Sequence, residues 1–208
     1  MDWKKAKNTW KQVWYFIWED DSWASWFVNV ILAFVLIKFV VYPTLGLVLA
    51  TTHPIVAVVS SSMEHDGGFE YWWQQKANCE QRYDCTQGRF YFALGYTKEN
   101  FQEFRFSNGF NKGDIMILYR TDPSLLNVGD VIVFNAGRPD PIIHRIIIIE
   151  DGEKGRLFTT KGDNNPASFA FETGIMEQNY IGKAVVRIPW VGYIKISFVR
   201  LMQIIGVL

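Results

Sequence analysis

The sequence predicts a mainly β protein, an antiparallel β domain carried behind one N-terminal transmembrane helix. Two features predict it. A long apolar run, Trp23 to Ala50, lies near the N-terminus, and short β-branched runs bounded by Gly, Asp, Asn and Pro follow it. A change of composition between the first and second of those runs marks an insertion in the β domain.

The 208 residues suffice for one compact domain with accessory segments. Lys+Arg and Asp+Glu balance at 21 each, so no basic field points to nucleic acid. Nine Trp residues favour surfaces where one end of a ring is apolar and the other wet, as at a bilayer boundary.

Residues 1–21 form the first segment. Trp3, Trp10, Trp14, Ile17 and Trp18 alternate with lysines in it, a pattern that suits an amphipathic helix on the cytoplasmic membrane surface. A solvated helix with a tertiary role is the plain alternative. Residues 22–50 form the anchor, whose only charge after Trp23 is Lys38, placed to snorkel towards the Tyr42–Pro43 end. Hydrophobicity on every side of this helix favours lipid over a protein core. The run is too long, and starts too far from Met1, for a cleaved leader. Lys4, Lys5, Lys7 and Lys11 precede the span, which places the N-terminus in the cytoplasm and everything after Thr51 on the outer or lumenal face.

Residues 51–190 are expected to form the β domain, with strands over Pro54 to Val59, Asp114 to Arg120, Gly129 to Asn135, Pro141 to Glu150 and Arg156 to Thr160. The insertion, 66–111, is rich in Gln, Asn, Gly and aromatics. It is either a small packed subdomain or a surface that meets headgroups or a partner. It carries Cys79 and Cys85, which cannot make a zinc site by themselves; whether they are joined depends on the compartment. No metal or cofactor is expected. Residues 191–208 are apolar but interrupted by Lys195 and Arg200, which fits an interfacial helix better than a second span.

Three places carry groups capable of chemistry. Ser60, Ser61 and Ser62 lie between an apolar strand and a polar loop, where a hydroxyl nucleophile could be held, although a Ser-rich turn is by default only a turn. Of the three histidines, His53 and His65 have plain loop readings. His144 sits inside the apolar strand IIHRIIII, where a polar ring must find partners. Asp163, in Lys161-Gly162-Asp163-Asn164-Asn165, could accept from His144 or simply shape an Asx turn.

Taken in order, Ser60-Ser61-Ser62-Met63, Gly113-Asp114-Ile115, Gly129-Asp130-Val131-Ile132, His144-Arg145 and Lys161-Gly162-Asp163-Asn164-Asn165 behind a membrane anchor resemble the type I signal peptidases of the archaeal and endoplasmic-reticulum branch. The resemblance implies a signal-peptidase-like β catalytic domain and a serine endopeptidase that removes N-terminal signal peptides. It implies Ser62 as nucleophile, His144 as general base where the bacterial branch has Lys, and Asp163 as the orienting acid. It also implies Ser60 as an oxyanion donor beside the Ser62 amide, with Met63 completing the box. Ser61 and His65 depart from the family's Gly and Pro. Phe169 stands where many relatives carry a second Asp, leaving Glu172 as a distant substitute. The implied partners are signal-peptide-bearing preproteins, membrane lipid and the protein-export machinery. Two other designs remain open at this level: a Ser-Lys protease using Lys161 or Lys183, and a non-catalytic membrane-tethered β domain that binds exported chains.

Overall fold

The structure is a computed structural model that describes residues 3–79, 85–152 and 155–204. The ends of the expected 1–21 and 191–208 segments, and positions 80–84 of the insertion, lie outside the described residues. The chain forms two compact units, Met1–Val48 and Leu49–Leu208.

In the first unit, α1 (Trp3–Trp18) is followed by α2 (Trp23–Leu36), which passes through a π-helical turn at Ile37–Val41 into α3 (Tyr42–Val48). The wide turn precedes Pro43, whose ring would collide with the carbonyl four residues back and which has no N–H to give. Trp23–Val48 runs 26 residues at a mean hydropathy of 2.2 and is, among the described residues, the one helix long and apolar enough to cross a membrane. Ser22 caps its start by accepting from the Ser25 amide. The Ser25 hydroxyl and the Asn29 amide in turn donate to the carbonyls of Phe16 and Ile17, satisfying groups that the end of α1 leaves open.

The second unit is built on one antiparallel sheet in the order β1-β2-β7-β3-β4-β5-β6. The expected strands are present as β1 (Ile55–Ala57), β2 (Ile115–Tyr119), β3 (Val131–Phe134), β4 (Ile142–Gly152) and β5 (Gly155–Lys161). Two more were not anticipated: β6 (Ile175–Met176) and β7 (Tyr180–Ile188). β7 lies inside the sheet, third in the order, pairing β2 on one side and β3 on the other. Val58, Met63, Phe110, Met116, Leu118, Val131 and Val133 form one core cluster, and Ile132, Phe134, Ile146, Phe158 and Tyr180 form another.

Lys183 and Arg187 hide β7 in the sequence, and they explain the two Gly-Asp boxes. Asn111-Lys112-Gly113-Asp114 and Asn127-Val128-Gly129-Asp130 build the same turn twice. In each, the Asp carboxylate accepts from the Asn amide, at 2.8 and 3.0 Å, while the Asp amide donates back to the Asn carbonyl. Each Asp then meets a β7 cation, Arg187–Asp114 at 2.6 Å and Lys183–Asp130 at 2.7 Å. The turns thus set both the entry of β2 and β3 and their register on β7, the strand between them.

The insertion packs α4 (Phe69–Trp73), α5 (Gln87–Ala93) and α6 (Lys98–Glu103) around buried Phe69, Trp72, Trp73, Tyr91 and Phe101, with Ile147 of β4 beneath them. A disulfide joins Cys79 to Cys85. After β7, α7 (Gly192–Ile204) starts against the first Gly-Asp turn, where the Trp190 amide donates to Asp114.

Gly113 and Gly129 have φ of +90° and +94°, and a Cβ on them would fall 2.1 Å from the Tyr193 ring and 2.3 Å from the Phe104 ring. Gly113→Ala or Gly129→Ala should therefore lower stability by about 1–3 kcal/mol or more, read as a fall in denaturation midpoint. An unchanged midpoint in both variants contradicts this account of the turns.

Candidate active site

Strand alternation separates two neighbours on β4. His144 shares its face with Ile142 and Ile146, and Arg145 shares the other with Ile143 and Ile147. Each neighbour therefore finds its own carboxylate.

On the first face the His144 Nε2 lies 2.8 Å from the Ser62 Oγ, although 82 residues separate them in the chain. The His144 Nδ1 is hydrogen-bonded to Glu172 Oε1. A carboxylate only accepts, so Nδ1 carries the proton and Nε2 is left to accept from the serine hydroxyl. Glu172 is wholly buried at the end of a 3₁₀ turn, Ala170–Glu172. Its Oε2 accepts from the Phe169 amide at 2.8 Å, and the Thr160 hydroxyl lies 3.4 Å from Oε1. Ser60 Oγ is 3.0 Å from Ser62 Oγ. With the Ser62 proton directed at His144, Ser60 is the donor of that pair. Ser62 is half-buried and can be approached; Met63 behind it is buried, its sulfur accepting from the Asp163 amide.

Asp163 corrects the sequence expectation. It does not touch His144. Its carboxylate is gripped by Arg145, Nε to Oδ1 at 2.9 Å and Nη2 to Oδ2 at 2.7 Å, and it also accepts from His65 Nε2 at 3.0 Å and the Tyr91 hydroxyl at 3.4 Å. The physical reason is competition: a planar guanidinium on the adjacent face offers two charge-assisted bonds, and neutral imidazole offers one. Burial alone would raise the Asp163 pKa, but Arg145 and then His65 outweigh it and hold the carboxyl well below the usual range. Burial opposes the Arg145 charge, and Asp163 more than restores it. Arg145 spends its remaining donors on the carbonyls of Arg105, Phe106 and Gly129. His65, expected in an exposed loop, is buried and stacked on Trp72 with ring centroids 3.8 Å apart.

Gly162 and Asn164 join the two groups of residues. A Cβ at Gly162 would lie 2.8 Å from both His144 Nε2 and the Ser62 carbonyl oxygen. The Asn164 amide donates to that carbonyl at 2.8 Å, and its side chain donates to the Ser61 carbonyl at 3.1 Å. Neither lysine of the Ser-Lys alternative has Ser62 among its bonding partners. Lys183 pairs with Asp130, and Lys161 is bonded to Gln87 and to the carbonyls of Gly162 and Asp163. Glu172 was only a remote substitute in the sequence. A carboxylate set among Phe169, Ala170 and Phe171 was the signal for it, since a buried acid needs partners.

No family model matches the chain. Similarity is found to the signal peptidase complex catalytic subunit SEC11 of Komagataella phaffii, 32% identical over 99 residues that cover 42% of this chain and 57% of that protein. The SEC11 subunit of Pyricularia oryzae is 38% identical over 95 residues, covering 42% and 55%. The human SEC11C subunit is 33% identical over 96 residues, covering 42% and 49%. The chain thus spans about half the length of the curated relatives it matches.

The two carboxylates should separate in a stability measurement. Asp163→Ala strands a fully buried Arg145 and should cost about 3–5 kcal/mol, whereas Glu172→Gln, which leaves a neutral amide beside a neutral imidazole, should cost less. Because the folded pKa of Asp163 lies below its unfolded value, its contribution is complete above about pH 4 and is lost as pH falls below that. Urea midpoints at pH 7 and pH 3 check both statements, and equal costs for the two variants contradict them.

Proposed function

We propose, from the homology of this chain to signal peptidase complex catalytic subunits, that it is a membrane-bound serine endopeptidase removing N-terminal signal peptides from exported preproteins. Ser62 is the nucleophile, His144 the general base and Glu172, in place of Asp163, the orienting acid. The observation that carries this is the 2.8 Å approach of Ser62 Oγ to an imidazole whose far nitrogen is bound to a buried carboxylate.

In this mechanism Ser62 Oγ attacks the scissile carbonyl carbon while its proton passes to His144 Nε2. Glu172 stabilises the imidazolium that results. The oxyanion takes the Ser62 amide and the Ser60 hydroxyl, which leaves its bond to Ser62 Oγ as that atom becomes acylated. The imidazolium then gives its proton to the leaving amine. Water, activated by the same nitrogen, hydrolyses the ester.

The substrate binds extended. β1 stands at one end of the sheet order with β2 as its strand neighbour, and it lies just before the serine turn, so a peptide added to that edge presents its carbonyls to Ser62. Residues 22–50 anchor the chain in the cell or endoplasmic-reticulum membrane with the N-terminus cytoplasmic, and 1–21 and 191–208 lie at the interface. The exposed Trp10 and Trp14 of α1, and Ile194 and Phe198 of α7, support that placement, and the Cys79–Cys85 disulfide supports an oxidising outer or lumenal face for residues 51–190. Membrane lipid and the export machinery are the accompanying partners.

Processing of a preprotein in detergent tests the assignment. Ser62→Ala and His144→Ala should each abolish cleavage. Glu172→Gln should lower kcat by about 10³–10⁴-fold, as expected when an acid that sets the imidazole tautomer is lost. A bulky residue placed just before the cut should stop cleavage by the wild type. Full activity of Ser62→Ala, or of Glu172→Gln, overturns the corresponding role.

A further inference from the structure

Lys161 is a buried cation to which the mechanism above gives no part. Its side chain is wholly enclosed, and its Nζ has three acceptors: Gln87 Oε1 at 2.7 Å, the Gly162 carbonyl at 3.1 Å and the Asp163 carbonyl at 3.2 Å. Three acceptors match the three donors of an ammonium; a neutral amine has only two and would turn a lone pair against an oxygen. Two of the acceptors belong to the turn that carries Gly162 beneath His144 and Ser62.

Gln87 comes from the insertion, at the first position of α5, and is itself buried. Its amide does two things. Oε1 accepts from Lys161, and Nε2 donates to the Asn165 carbonyl at 3.0 Å. One side chain thereby closes both ends of the Gly162–Asn165 turn, whose Asn164 holds the Ser61 and Ser62 carbonyls.

We infer that Gln87 and Lys161 are positioning residues, through which the insertion clamps the Gly162–Asn165 turn and holds Ser62 against His144 for as long as Lys161 keeps its charge. This rests on the peptidase reading above. The groups facing the ammonium are Asp163 and Glu172, which favour the charge, and Arg145, which opposes it; the Phe90 and Tyr91 rings stand 5.2 and 5.5 Å away, and Arg89 of α5 is exposed. Burial is the largest influence and lowers Lys161 from 10.5 to about 7. The clamp is therefore complete on the acid side of neutrality and opens as pH rises through that value. An ordinary Ser-His enzyme reaches a plateau once its imidazole is neutral, whereas this one should show a declining alkaline limb.

The test is the pH profile of kcat and KM for preprotein cleavage by the full chain in detergent, for wild type, Ser62→Ala, Gln87→Leu, Gln87→Glu and Lys161→Met. Gln87→Glu should move the alkaline limb up by about one pH unit or more by adding a carboxylate beside the ammonium, though with lower amplitude because the bond to Asn165 is lost. Gln87→Leu should move the limb down and lower kcat about tenfold with KM little altered, as expected for misplaced groups rather than weaker binding. Lys161→Met should be slow and free of the limb. Superimposed profiles, with wild type active and Ser62→Ala inactive, overturn the clamp and leave the peptidase reading standing. If wild type cleaves no preprotein, that reading falls instead. The clamp is then judged by NMR, following the Lys161 side-chain nitrogen and amide exchange at Gly162–Asn165 across the same pH range. Exchange that does not rise as Lys161 loses its proton overturns it.

Discussion

The buried pairing of Arg145 with Asp163 is the constraint on which the rest of the site depends. Neither side chain is exposed to solvent, and removing two ions from water is repaid only when nearly every donor and acceptor finds a partner. Here they do. Arg145 reaches carbonyls on both sides of the insertion boundary, and Asp163 collects His65 and Tyr91, while Trp72 donates to its backbone carbonyl. Such a centre has one satisfactory geometry, and the loop that leaves β5 inherits it. Gly162 and Asn164, on either side of Asp163, are placed by that geometry, and they in turn fix the serine turn and limit where the imidazole can stand.

This division of labour accounts for the acid that the sequence misassigned. The motif Lys161-Gly162-Asp163-Asn164-Asn165 marks the loop that meets the serine turn, but its Asp pairs with Arg145, and the imidazole takes its carboxylate from the 3₁₀ turn further on. Local spacing could not reveal this. The assignment turns on which face of β4 each of two adjacent residues occupies, and on the strength of a bidentate guanidinium pair against a single imidazole bond.

Much else was legible. The apolar N-terminal helix and five strands follow from hydrophobic runs and their turn residues. The proximity of Ser62 to His144 follows from no local pattern, only from the order of boxes in which the chain resembles type I signal peptidases. β7 escaped notice because Lys183 and Arg187 interrupt its alternation, and those charges make sense only beside Asp130 and Asp114 of distant turns. The plain loop reading of His65 failed for a related reason: its burial is created by Trp72 and Asp163, neither of which a sequence window can place beside it.

The position of β7 between β2 and β3 has a consequence for how the molecule comes into being. Without that strand the sheet falls into two pieces, a β1–β2 ribbon that leads to the serine and a β3–β6 meander that contains the histidine. Among the described residues β7 follows every other strand, so Ser62 and His144 lie on pieces with no strand pairing between them until residues 180–188 have been made. Closure of the sheet is thereby deferred to the last of the described strands.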